Sequence, residues 1–91
     1  MMTVETYEIA ATATQPRRVK AASVEGYSVT VPWYESANET ENHKSAVRAW
    51  HAKYGIGLPL ENVIGGPTRR GMAWLFIGWH AAELPGLRLA Q

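Results

Sequence analysis

Residues 3–13, TVETYEIAATA, alternate along the chain: Tyr7, Ile9 and Ala11 share one face, and Glu8 and Thr12 the other. Period-two alternation marks a half-buried strand. Gln15 and Pro16 interrupt it, because proline has no N–H to give to a ladder. RRVKAASVEGYSVTVPWY follows, with Glu25-Gly26 between two β-prone runs. That arrangement predicts a hairpin in which glycine supplies the positive φ of the turn. Beyond it, Tyr27, Val29, Val31 and Trp33 line one face with Ser28 and Thr30 opposite, and Pro32 should end the strand or place it at an edge.

ESANETENHKSAVRAWHAKYG reads as the one clear helix. Ser36 with Glu39, and Asn38 with Glu41, both have capping-box spacing. The helix is expected to start between 37 and 41 and to end at Tyr54, with Gly55 as a left-handed terminator. Early Glu39 and Glu41 and late Lys53 suit the helix dipole. Val47, Trp50 and Tyr54 form an apolar stripe, flanked by Ala46 and His43, while Thr40, Lys44, Arg48 and His51 mark a polar face.

After GIGLP, LENVIGG suggests a short strand at about 60–64, and GGPTRRG a mobile connector over about 65–71, its Gly65, Gly66, Pro67 and Gly71 continuing no element. Met72 to Trp79 is apolar except for Gly78, as expected of a strand covered on both faces, one by the helix and the other by a partner or the chain tail. A Pro85-Gly86 turn precedes a short edge strand at 87–90, within a tail of about 81–91. The order is strand, strand pair, helix, strand, strand. It predicts one α+β domain over 1–91, with a mainly antiparallel sheet of four to five strands packed on a single helix.

Composition narrows the function. Ninety-one residues make one small domain. With no cysteine there is no disulfide framework, thiol nucleophile or Cys-rich zinc site. The hydrophobic fraction of 46% is too high for a disordered chain. The N-terminus MMTVETYEIA has no basic region ahead of an apolar run, and the longest apolar stretch is far too short to cross a bilayer, so a cytoplasmic protein with no membrane contact is expected.

Catalytic chemistry finds little footing. No G-x-S-x-G surrounds any serine, and without aspartate a Ser-His-Asp set cannot form, although glutamate can substitute. His43 and His51 are eight apart, not the four at which two helical ligands share a metal, so no metal and no cofactor is expected. Glu35, Glu39 and Glu41 read as dipole-favourable first-turn acids. GGPTRRG lacks the phosphate-cradle pattern, and Pro67 removes an N–H the cradle would use.

The basic and aromatic residues are the better candidates. Arg17-Arg18 and Arg69-Arg70 fall in loops or at strand ends, Lys44 and Arg48 share a helix face, and Trp33-Tyr34 lies at a strand end. Trp, Tyr and Arg dominate binding energy at protein interfaces. Nine cations against eight anions leave a net charge of +1, below the excess usual for a nucleic-acid binder. The expected partner-binding residues are therefore Arg17, Arg18, Trp33, Tyr34, Lys44, Arg48, Arg69 and Arg70, meeting a protein. Nucleic acid or a transcription-regulating role for the same cations is the alternative. A homodimer would cover the apolar strand.

YSVTVPWY, then HKSAVRAWHAKYG, then ENVIGG with MAWLFIGWH, resembles in size and element order the compact α+β type I anti-CRISPR inhibitors encoded by phages and mobile elements; the likeness spans roughly residues 4–80. The resemblance implies a non-enzymatic protein that occupies a functional surface of a bacterial nucleic-acid-targeting defence complex in the cytoplasm of the host cell. These inhibitors share no functional residues to carry over. The net charge argues against DNA mimicry and for contact through arginine and aromatic side chains.

Overall fold

The computed structural model describes residues 2–55, 63–76 and 87–88. Six strands, β1 (Met2–Ile9), β2 (Arg18–Ser23), β3 (Ser28–Pro32), β4 (Val63–Pro67), β5 (Met72–Phe76) and β6 (Leu87–Arg88), form one sheet in the order β3-β2-β1-β5-β4-β6. Every pairing is antiparallel. One helix, α1 (Glu39–Tyr54), packs on the β1–β3 part of it. The expected α+β class is therefore the observed one, with the N-terminal strand in the interior of the sheet.

Register fixes the two faces. Val4 and Thr6 of β1 align with Ser23 and Ala21 of β2 and with Trp74 and Met72 of β5, and Val19 and Ala21 align with Val31 and Val29 of β3. These residues face the helix, where Val4, Val19, Ala21, Trp74 and Phe76 join Ala46, Val47 and Trp50 in the core. Tyr7 and Ile9 do share a face, but it is the face away from the helix, where both are only half-buried. The strand also stops at Ile9, and residues 10–16 are exposed. A turn closes that loop, Thr12 N donating to Gln15 O at 2.8 Å.

The β2–β3 hairpin follows its prediction. Gly26 has φ +98°, and Ser23 N donates to Tyr27 O at 2.9 Å. A three-residue loop with glycine in the positive-φ position is a common hairpin solution. β3 is an edge strand and ends at Pro32. Asn38 is the helix N-cap, its Oδ1 accepting from Glu41 N at 2.8 Å. Gly55 departs from expectation: its φ is −89°, so it is not left-handed. Space explains it, because a Cβ there would lie 2.9 Å from His51 O and within contact of the His51 ring.

Side-chain hydrogen bonds at both ends seat the helix. Asn42 accepts from Tyr34 N at 2.8 Å and donates to Tyr34 O at 2.9 Å and Asn38 O at 3.1 Å, so it acts as a clamp on the β3–α1 loop. At the far end Trp50 Nε1 donates to Tyr27 O at 3.1 Å and Tyr54 Oη to Ser28 O at 3.2 Å.

Gly65, Gly66 and Pro67, expected in a mobile connector, are instead the last residues of β4. Gly65 pairs across from Trp74, and a Cβ on it would penetrate the indole ring. The turn shrinks to Thr68–Gly71, closed by Thr68 N donating to Gly71 O at 2.8 Å. On β5, Met72, Trp74 and Phe76 are buried, whereas Ala73 and Leu75 on the open face are half-buried. The rest of the apolar run, with His80, and the Pro85-Gly86 turn lie outside the described residues, and the predicted edge strand at 87–90 is described at 87–88.

Gly65 and Gly66 make a paired test. Gly65→Ala should cost about 1–3 kcal/mol by driving a methyl into the Trp74 ring, whereas Gly66→Ala, which meets open space, should stay within about 0.5 kcal/mol. Urea unfolding of the two variants measures both.

Candidate functional site

Antiparallel pairing brings the end of β1, the start of β2, the end of β3 and the β4–β5 turn to one end of the sheet. The Asn42 clamp holds the N-terminus of α1 there too. Six of the eight expected residues therefore gather at this end: Arg17, Arg18, Trp33, Tyr34, Arg69 and Arg70.

Arg17 organises the corner. Its Nε donates to Glu8 Oε2 at 2.6 Å and its Nη2 to Glu8 Oε1 at 2.9 Å, the two-pronged geometry a guanidinium favours with a carboxylate. Nη1 reaches Glu35 Oε1 at 3.4 Å, and the guanidinium lies 4.1 Å from the centroid of the Trp33 ring. The hydrogen bonds from Arg17 hold the Glu8 carboxyl below its usual range and raise Arg17 in return. Tyr34 stands beside this corner with 55% of its surface exposed.

Arg18 points the other way, onto the open face, with Ile9 and Pro32 across from it. Lys20, two residues on, lies opposite Tyr7, and the Arg70 guanidinium sits 4.1 Å above the Tyr7 ring. A shallow groove continues from Arg70 along Thr3, Glu5, Ala22 and Val24. Arg69 is exposed at the turn.

Lys44 and Arg48 stand apart, along the helix. Both approach Glu41, Lys44 at 3.7 Å and Arg48 at 3.9 Å. Lys44 is only 5% exposed, so the polar helix face expected from sequence is interrupted at its centre.

Beneath the site lies a buried polar node. Thr6 Oγ1 accepts from Trp74 Nε1 at 2.9 Å and meets His43 Nδ1 at 2.7 Å, the proton's position depending on the imidazole tautomer. The Trp33 ring meets His43 edge-on at 6.0 Å, linking the node to the Arg17 corner. Burial lowers the His43 pKa, while the charges of Glu39 and Glu8 oppose that shift. His43 is thus a structural residue whose ring nitrogen is engaged inside the core. Among the described residues no three His or Glu side chains are grouped to hold a metal ion, and no helix is long and apolar enough to cross a membrane.

Three residues of the site, Tyr7, Glu8 and Lys20, escaped sequence reasoning, and a fourth, Glu35, expected in the first turn of the helix, lies before its Asn38 cap. Glu8 and Glu35 are the partners of Arg17, and Tyr7 with Lys20 lies on the open face. The available signal was the alternate parity of β1, where Val4 and Thr6 mark the helix side. A threonine among glutamates looks like a solvent-facing residue, and only its two aromatic-ring partners reveal otherwise.

No protein-family model matches this chain, and no curated protein or solved structure matches it either.

Two outcomes follow from the buried node. Thr6→Val keeps the shape but leaves Trp74 Nε1 and His43 Nδ1 without their shared oxygen, and should cost about 2 kcal/mol or more in chemical denaturation. The unfolded imidazole titrates near 6.5 and the folded one lower. Between those values the unfolded chain binds more protons, so stability rises with pH. Thermal midpoints should fall as pH drops from about 7 through 6.5 towards the lowered folded value, and His43→Gln should flatten that slope.

Proposed function

We propose that this protein acts by binding another protein through the arginine- and aromatic-bearing end of its sheet, without catalysing a reaction. One observation carries the reading: Arg17, Arg18, Trp33, Tyr34, Arg69 and Arg70 converge at one end of a sheet held by buried ties, and Tyr34 is left 55% exposed there. Glu8, Glu35, Glu39 and Glu41 share that end. Phosphate backbones favour uninterrupted cations, so this mixed field suits a protein surface better than a nucleic acid. A stable interface takes about 800 Å² from each partner, roughly a seventh of this chain's 5627 Å². That is the scale of a face, not of one loop, so Arg69 and Arg70 act with the neighbouring strands.

The particular form we propose rests on the resemblance to type I anti-CRISPR inhibitors. The protein, encoded by a phage or mobile element, would block a bacterial nucleic-acid-targeting defence complex by covering one of its working surfaces. A small nucleic-acid-binding or regulatory protein is the competing reading, favoured by the open-face grouping of Arg18, Lys20 and Arg70 around Tyr7.

Affinity capture from bacterial lysate, with and without nuclease, separates the two. A stoichiometric protein partner that survives nuclease and moderate salt is the expected result; retention lost to nuclease or salt moves the function to nucleic acid. Arg69→Ala combined with Arg70→Ala should weaken partner binding while the thermal midpoint stays nearly unchanged, since both side chains lie at an exposed turn. An equal loss of stability would remove the turn from the site.

A further inference from the structure

Among the described residues, two sets of cations differ in what they meet. Arg17 is held by Glu8 and Glu35, and Lys44 and Arg48 lie against Glu41. On the open face the pattern is different: among the described residues Arg18, Lys20 and Arg70 meet no carboxylate, and Arg70 has only the Tyr7 ring beneath it. Arg18 goes further, because its buried Nε has no hydrogen-bond partner at all. A buried guanidinium donor without a partner costs the fold free energy.

Spacing gives this charge a shape. Arg18 and Lys20 are two residues apart on one strand, so they face the same way about 6.6–7 Å apart. Alternate side chains of any extended peptide have that repeat. Arg70 closes the group from the β4–β5 turn, stacked on Tyr7 of β1, which lies directly across from Lys20. One row further on, Glu5 stands opposite Ala22 and limits the complementary stretch to two carboxylates.

We propose that this open face docks an extended acidic segment of the partner protein, two alternate carboxylates meeting Arg18 and Lys20 beneath Arg70. The proposal rests on the protein-binding reading above and gives the partner its chemistry: acid, any residue, acid, in extended conformation. Charge complementarity selects this occupant. The unpaired cations sit in strand geometry, with an acid at one end where a longer anionic polymer would be repelled.

The test is an NMR titration of the ¹⁵N-labelled protein with the peptide Ser-Glu-Thr-Glu-Ser, capped at both ends. Shifts should centre on Arg18, Lys20, Tyr7 and Arg70, and a peptide with Gln for both Glu should bind at least about tenfold more weakly. Arg18→Met should weaken the glutamate peptide by about tenfold without lowering the thermal midpoint, because the Nε it removes is unpartnered. Lys20→Gln gives an independent second variant. The proposal is overturned by no shifts up to about 10 mM peptide, by equal binding of the Gln peptide, or by tighter binding of an oligothymidylate. A fall in stability of Arg18→Met matching its loss of binding would make Arg18 a packing residue and also overturn it. If the peptide fails while lysate capture still retains a nuclease-resistant protein, the acidic-segment claim alone falls. If capture fails as well, the protein-binding reading falls with it.

Discussion

One hydroxyl group joins three of the elements on which the fold depends. Thr6 sits in the interior of the sheet, receives the indole N–H of Trp74 from β5, and meets the His43 imidazole from the helix. Each of those ring nitrogens is polar and buried, so each needs a partner in a core that supplies few. Sharing one oxygen satisfies both and fixes the positions of helix and C-terminal hairpin relative to the same strand. The glycines serve this arrangement: Gly65 leaves room for the Trp74 ring, and Gly71 lets the hairpin turn pass against the Thr6 carbonyl. Asn42 fixes where the helix begins, and therefore where His43, one residue on, enters the core.

A single helix can bury only one side of a sheet this wide, and the division of labour follows. Large apolar side chains go to the helix side, where Trp50, Trp74 and Phe76 are almost fully buried. The opposite side carries half-buried Tyr7 and Ile9 among short or charged residues on β1 and β2, and half-buried Ala73 and Leu75 on β5. Strands pinned from within thus present Arg18, Lys20 and Tyr7 at fixed spacing. Less reorganisation is lost on binding when the receiving groups are already in place.

The fold was legible in the sequence wherever one residue type did one job. Glu25-Gly26 marked a turn, Asn38 a helix start, and the Val47-Trp50-Tyr54 stripe the side of the helix that packs on the sheet. Legibility failed where space, not conformation, chose the residue. Gly55 and Gly65 look like chain breakers, yet both are excluded-volume positions, Gly55 beside His51 one turn back in its own helix and Gly65 beside the Trp74 ring of the paired strand. The gathering of six arginine and aromatic residues at one end came from β1 pairing with β5 across most of the chain length, a long-range register that no local pattern carries. The same pairing put Tyr7 beside Arg70, so the open-face group could be read only from three dimensions.

The ties at the helix C-terminus bear on how the molecule behaves in company. β3 is an outer strand, and outer strands offer free backbone groups to neighbouring chains. Here Ser28 O is already taken by Tyr54, and Pro32 at the other end has no N–H to offer. Only the short middle of the strand stays open to addition. Tyr54, which helps seat the helix, therefore also shortens the stretch of backbone that a neighbouring strand could use.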